Sequence, residues 1–65
     1  MKLSIIIPCY NEDSTIEKII EKINLQTDID KEIIVVDDYS TDKTRLILEN
    51  ELKDKIDHLV LNHQN

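Results

Sequence analysis

The residues best suited to chemistry stand directly after two apolar runs of the chain. The run at 3–7 leads into Pro8-Cys9-Tyr10-Asn11-Glu12, and the run at 32–36 leads into Asp37-Asp38-Tyr39-Ser40-Thr41-Asp42. Carboxylates such as Glu12 and Asp38 accept hydrogen bonds from neutral donors, among them the N–H of a nucleobase and the hydroxyls of a ribose. We therefore expect ligand-binding side chains at both places.

A helix is predicted after each of these polar stretches. The first backbone N–H groups of a helix and the positive end of its dipole favour an anionic ligand such as a diphosphate. An acidic edge and a phosphate ligand are compatible where a metal ion or the helix dipoles balance the charge.

The elements that must position these residues follow from periodicity. Short runs rich in β-branched residues predict strands at 3–7 and 32–36, and 58–61 is interpreted as a third strand. Isoleucines at 16, 19, 20 and 23 have helical spacing, and Ser14 with Glu17 fits a capping box, so a helix is predicted over 14–25. A second helix, capped by Ser40, Thr41 or Asp42, would place Leu48, Leu52 and Ile56 on one face.

The order βαβαβ predicts an α/β fold with a three-stranded parallel sheet in the order 3-2-1, a Rossmann-like arrangement. The carboxyl ends of its strands meet at one edge, where open α/β sheets bind ligands. Right-handed crossovers place both helices on one face of the sheet. The opposite face is then bare and apolar, and we expect more of the same chain or a partner to cover it.

Composition excludes several classes of function. A chain of 65 residues forms one domain at most, and we describe 1–65 as a single partial domain. The net charge of −6 argues against nucleic acid and anionic membranes as partners, and the absence of glycine excludes a Gly-rich phosphate loop. Cys9, the single cysteine, cannot form an internal disulfide, and no apolar run reaches the ~20 residues of a membrane span, so a cytoplasmic location is expected.

The two motifs together resemble the N-terminal motifs of family 2 glycosyltransferases, which have the GT-A fold. The likeness rests on Pro-x-Tyr-Asn-Glu at 8–12 and Asp-Asp-x-Ser-x-Asp at 37–42, and it is greatest to polyprenyl-phosphate sugar synthases of the dolichol-phosphate mannosyltransferase type. The resemblance implies a glycosyltransferase that takes a sugar from a UDP- or GDP-linked donor. In a full-length enzyme it implies a polyprenyl-phosphate acceptor and association with a membrane.

Carried over position by position, the resemblance implies nucleotide-binding roles for five residues: Pro8, Tyr10, Glu12, Val36 and Asp38. Asp37 is interpreted as a structural residue, because Asp readily bonds nearby backbone groups.

Two departures from the family pattern bear on function. Tyr39 and Lys43 stand where the family usually has Gly, so Tyr39 should avoid backbone angles open only to Gly and the turn should differ slightly. The family's Asp-x-Asp metal motif is absent from this segment, and Asp28-x-Asp30 is interpreted as a solvated loop. We therefore assign no catalytic and no metal-binding residue here, and Mg²⁺ or Mn²⁺ is expected only for the full-length enzyme. The segment alone should be inactive, and it should end inside a domain.

Other functions were weighed against this interpretation. A truncated, non-catalytic α/β remnant that binds a nucleotide or a partner is the main alternative. A receiver-like signalling module would also use an acidic strand end. It would further need a strand that ends in a phosphorylatable Asp and a strand that ends in Lys, and neither is visible in the sequence. An EF-hand over 38–49 fails because Lys43 stands at the position that needs Gly.

Overall fold

The computed structural model describes residues 2–63. The elements occur in the predicted βαβαβ order, with bounds β1 (Leu3–Cys9), α1 (Ile16–Asn24), β2 (Lys31–Asp37), α2 (Thr44–Leu46) and β3 (His58–Leu61). Between α2 and β3 the chain forms a π-helical turn (Ile47–Glu51) and a 3-10 turn (Lys53–Lys55).

The three strands form one parallel sheet in the order β1-β2-β3, as predicted. β2 is central, and Ile33 pairs with Ile5 of β1. Asp57 joins the start of β3 to β2, since its N–H donates to the Ile33 carbonyl at 2.9 Å and its carboxylate accepts the Ile33 N–H at 2.6 Å. The fold is therefore α/β and Rossmann-like.

The first helix begins two residues later than predicted. Thr15 precedes its first residue, and no side-chain capping bond forms there. The predicted capping box of Ser14 and Glu17 is therefore wrong. Instead, the Thr15 hydroxyl donates to the Glu12 carboxylate at 2.7 Å. Ile16 and Ile20 are fully buried, whereas Ile19 remains 37% exposed at the margin of the apolar stripe.

The second helical segment is less regular than its predicted apolar stripe implies. The Leu52 N–H donates to the Ile47 carbonyl at 2.9 Å, five residues back, which widens the turn. Leu48 and Leu52 are buried as predicted, but Ile56 follows the 3-10 turn in an extended conformation. Ile56 packs against the core from outside the helix.

The core lies between the helices and one face of the sheet. Its fully or nearly fully buried apolar members are Cys9, Ile16, Ile20, Ile33, Val35, Leu48 and Leu52. Both helical segments contribute to this one cluster, which agrees with two right-handed crossovers.

The other face of the sheet is bare, as predicted. Ile6 is 65% exposed and Val60 is 45% exposed, although both lie in strands. In β2, Ile34 pairs with Ile6, Val36 pairs with Val60, and both β2 residues are half-buried. No helix within residues 2–63 is long and apolar enough to cross a membrane.

Candidate functional site

The carboxyl ends of all three strands meet at one edge of the sheet. Asp37 pairs with Cys9 on one side and with Leu61 on the other, so the strands end at the same level. The N–H of Asp38 donates to the Cys9 carbonyl at 2.9 Å, which extends the pairing of β1 and β2 by one residue. The two polar stretches therefore leave the sheet side by side.

Backbone N–H groups of the first turn donate to side chains of the second turn. Three such bonds are formed: Asn11 N–H to Ser40 Oγ at 2.9 Å, Glu12 N–H to Thr44 Oγ1 at 2.8 Å and Asp13 N–H to Asp42 Oδ2 at 3.3 Å. Each joins residues about thirty positions apart in the chain. The hydroxyl and carboxylate groups after β2 thus hold the turn after β1.

Side chains of the first turn hold the second turn in return. The Asn11 side-chain oxygen accepts the N–H groups of Thr41 at 2.8 Å and of Asp42 at 3.3 Å. The Asp13 carboxylate accepts the N–H of Lys43 at 3.3 Å. Asn11 has a left-handed φ of 51°, which Asn tolerates better than most residues.

These reciprocal bonds occupy the N–H groups of residues 11–13 and 41–43, which are therefore not free to bind a diphosphate. That the first N–H groups of α1 bind one stays a prediction. Thr44, the first residue of α2, donates its N–H to Asp42 Oδ1 at 2.9 Å. The predicted cap is wrong, because Lys43 rather than Ser40, Thr41 or Asp42 precedes α2 and no side-chain capping bond forms there. Desolvation alone would raise the pKa of Asp42, but hydrogen bonds from Thr44 and Asp13 outweigh it and lower the pKa.

Asp37 is fully buried, and its carboxylate is occupied by its surroundings. It accepts the Ser40 N–H at 3.0 Å, the Ser40 hydroxyl, and Arg45 Nε at 2.7 Å. Burial alone would raise the pKa of Asp37, but these hydrogen bonds outweigh burial and lower it. The predicted bond between Asp37 and the backbone of its own turn is confirmed.

Cys9 is a buried residue at the end of β1. Its thiol lies 3.7 Å from Asp37 Oδ1, and burial together with the negative charge of Asp37 raises its pKa to about 12. A thiol with that pKa stays protonated at neutral pH and is a poor nucleophile. Cys9 is therefore a structural residue of the strand end.

Asp38 contrasts with its neighbour because its side chain is exposed at the edge. Alternation along β2 turns Asp37 toward the core, so the next carboxylate leaves on the other side. Tyr10, which follows the end of β1, is 47% exposed. Both side chains have the solvent access that a ligand-binding role requires.

The remaining three predicted site residues also lie at the ends of β1 and β2. Pro8 and Val36 are register partners on the bare face of the sheet. Glu12 is half-buried in the first turn, and its carboxylate accepts the Thr15 hydroxyl at the start of α1. The fold thus brings all five residues to one part of the molecule, and their roles toward a nucleotide stay predictions.

Tyr39 has a backbone conformation that differs from expectation. Its φ is 62°, in the left-handed region that favours glycine, so this turn keeps a glycine-like φ despite the tyrosine. A non-glycine residue held there costs about 1–3 kcal/mol. Arg45 lies over the Tyr39 ring, 5.7 Å from its centroid, which is a stabilising cation–π distance.

Two further features bear on ligand binding. Within residues 2–63, no three His, Cys, Asp or Glu side chains converge to hold a metal ion. A groove of about 620 Å³ lies at the opposite edge of the sheet, between the end of α1 and the turn before β3. Its lining includes Glu17 and Glu51, whose mutual hydrogen bond and repulsion raise the pKa of Glu17.

Known proteins resemble this chain over nearly its whole length. The model of the family "Glycosyl transferase family 2" matches residues 4–65. An uncharacterized glycosyltransferase of Mycoplasma genitalium is 42% identical over 65 residues, 97% of this chain and 22% of that protein.

Two further relatives carry more specific names. A GalNAc(5)-diNAcBac-PP-undecaprenol beta-1,3-glucosyltransferase of Campylobacter jejuni is 45% identical over 53 residues, 82% of this chain and 17% of that protein. A poly(ribitol-phosphate) beta-glucosyltransferase of Bacillus spizizenii is 43% identical over 63 residues, 94% of this chain and 10% of that protein.

The chain thus spans between about a tenth and about a fifth of the length of these relatives. The match includes both strand ends, both turns and the α/β fold that joins them. The chain belongs to glycosyl transferase family 2.

Proposed function

We propose that this chain is the nucleotide-binding part of a glycosyltransferase that takes a sugar from a UDP- or GDP-linked donor. The observation that carries the proposal is the pair of turns after β1 and β2, which are joined by reciprocal hydrogen bonds into one surface. Asp38 and Tyr10 are exposed on that surface.

Each residue of the proposed site has a chemical role. Tyr10 offers an aromatic face against which a base can stack. Asp38 accepts a hydrogen bond from a base N–H or a ribose hydroxyl. Pro8 and Val36, paired across β1 and β2, supply an apolar wall, and Glu12 contributes a second carboxylate to the rim.

The negative charge of the diphosphate would be neutralised by groups outside residues 2–63. The N–H groups of residues 11–13 and 41–43 donate to protein side chains, and no metal-binding cluster forms within residues 2–63. Mg²⁺ or Mn²⁺, held by other residues of a full-length enzyme, would supply that charge. This segment would bind and orient the nucleoside end of the donor.

For the acceptor we propose a saccharide or phosphate carried on a polyprenyl chain. The support is the Campylobacter relative, which is named as a beta-1,3-glucosyltransferase for GalNAc(5)-diNAcBac-PP-undecaprenol. The Bacillus relative is named for a poly(ribitol-phosphate) acceptor at nearly the same identity. An acceptor assay of the full-length enzyme with both substrate classes tests this part separately.

Donor binding is tested by adding UDP and GDP separately to the ¹⁵N-labelled chain and following its backbone amide shifts. We expect saturable shifts of Tyr10, Glu12, Val36 and Asp38, while residues of the groove at the opposite edge stay unmoved. A folded sample that shows no shifts at saturating concentrations of either nucleotide contradicts the proposal. Shifts confined to the groove would place binding at the wrong edge.

A further inference from the structure

Arg45 joins three parts of the molecule that the chain itself separates. Arg45 belongs to α2, and its Nε donates to Asp37 Oδ2, at the end of β2, over 2.7 Å. Its Nη2 donates to the backbone carbonyl of Asn62, directly after β3. Its guanidinium also lies over the Tyr39 ring, in the turn that carries Asp38.

The contact with Asp37 makes Arg45 important to the β2 end. Asp37 is buried as a charged group, and Arg45 is the cation that lies against it, with 22% of its own side chain exposed. Removing one partner of such a pair leaves a charge in a poorly solvated place. The turn would then have to rearrange to let water reach Asp37.

The contact with Tyr39 extends this restraint to the neighbouring residue. Tyr39 is held at a φ that is unfavourable for a residue with a Cβ, so its turn needs restraints from outside. Asp38 lies between two fixed points: its own N–H is bonded to Cys9, and the next residue is held by Arg45. The direction of the Asp38 carboxylate therefore depends on Arg45.

We propose that Arg45 is a positioning residue of the nucleotide site, which sets the orientation of Asp38 without contacting the ligand. This inference rests on the proposed function of the site. It requires arginine rather than any cation, because a planar guanidinium can donate to two acceptors and lie over a ring at the same time, whereas an ammonium is a point charge.

The test uses Arg45→Met, Arg45→Lys and, as a control with the same loss of charge, Lys18→Met on the exposed surface of α1. Two properties are measured for each variant. The first is the set of backbone amide shifts without ligand, at 38–40 and at Asn62. The second is the affinity for uridine and guanosine and for their diphosphates.

We expect Arg45→Met to move the amide signals of Asp38, Tyr39 and Asn62 together and to weaken binding of the nucleoside and the diphosphate alike, by about tenfold. Arg45→Lys should fall between wild type and Arg45→Met, at about threefold. These factors match the loss of one hydrogen bond between charged groups and its partial replacement. Lys18→Met should leave the nucleoside affinity unchanged. If Arg45→Met does not fold, Arg45→Lys provides the same comparison.

Two results overturn the proposal. Unmoved amide signals at Asp38 and Asn62 in folded variants show that Arg45 does not position the turn, whether or not nucleotide binds. Weaker binding of the diphosphate only, with wild-type affinity for the nucleoside, shows that Arg45 acts as a charge on the phosphates. If the wild type binds no nucleotide but the Arg45 variants still move the amide signals, the proposed function is wrong. Arg45 then still positions the turn.

Discussion

Asp37 and Asp38 are adjacent in the chain and have opposite surroundings. Asp37 is fully buried and bonded to Ser40 and Arg45, while Asp38 projects from the sheet edge into solvent. The cause is the alternation of side chains at the end of β2, which sends neighbouring residues to opposite sides. One carboxylate therefore holds the turn, and the other remains available to a ligand.

Replacing Asp38 with Ala should weaken nucleotide binding by roughly 1–3 kcal/mol, since one hydrogen bond from the ligand to a charged acceptor is lost. Calorimetric titration of the chain with the nucleotide it binds measures this change. Asp28→Ala, in the exposed loop before β2, is the matched control and should bind as wild type does. Equal affinities for wild type and Asp38→Ala would refute the role assigned to Asp38.

Asp37 should make folding sensitive to acid. Because its folded pKa is lowered, its ionised form stabilises the fold above the unfolded value of about 3.9, and this stabilisation is lost as the pH falls through the folded pKa. At pH 7, Asp37→Asn should lower the free energy of unfolding by about 3 kcal/mol, the lower end for breaking a buried pair, because Arg45 is partly exposed.

Urea unfolding of wild type and Asp37→Asn from pH 7 to pH 2 measures both effects. The difference between the two proteins should be constant down to about pH 5 and should shrink below about pH 4. A difference that stays constant to pH 2 would mean that the ionised form of Asp37 contributes nothing to stability.

At the scale of elements, the second helical segment contributes few buried residues to the core. Leu48 is fully buried between this segment and the sheet, so Leu48→Ala should cost about 2–5 kcal/mol. A chain of this size has a total stability of only about 3–10 kcal/mol. Leu46→Ala, the same change at an exposed position, is the control. Thermal unfolding followed by circular dichroism should show a large loss for Leu48→Ala and little change for the control.

The two helical segments also repel each other where Glu17 of α1 meets Glu51. This contact raises the pKa of Glu17, so its ionised form destabilises the fold at neutral pH, and this one contribution is relieved as the pH falls through the raised pKa. Glu17→Gln imitates the protonated form and should raise the melting temperature at pH 7, with a smaller gain at pH 4. Glu49→Gln, which removes an exposed charge from the same segment, is the control. An equal gain from both variants would assign the effect to net charge rather than to this contact.

For the whole molecule, the main feature is a sheet with helices on one face only. The bare face carries Ile6, Val60 and the half-buried Ile34 and Val36. A dye that binds apolar surface, such as ANS, should therefore fluoresce with the folded chain. The double change Ile6→Thr with Val60→Thr should reduce the signal and keep the strands, because Thr also favours β structure. Ile29→Thr, in an exposed loop, should reduce it less, and equal signals from all three proteins would contradict the prediction.

The sequence by itself determined the strands, their order, the meeting of the two turns and the bare face of the sheet. These features depend on local periodicity and on the handedness of crossovers, which act in the same way in any chain. It also indicated the family, because the two motifs are defined by the order of their residues alone. Asp37 could be separated from Asp38 only through the resemblance, which implies the nucleotide-binding role for Asp38, because the local bonding preference of Asp is the same at both positions.

Only the tertiary structure decided how the turns are held. Asn11, Thr44 and Arg45 act on groups 17 to 32 residues away, and nothing in their local sequence identifies those partners. The same holds for Tyr39, whose glycine-like φ is compatible with the fold because Arg45 and the end of β2 restrain it. The π turn before Leu52 and the missing capping bond of α1 were likewise visible only in the structure. Local preferences are small beside the energy of closing a core and satisfying buried polar groups, so the assembled turns set these details.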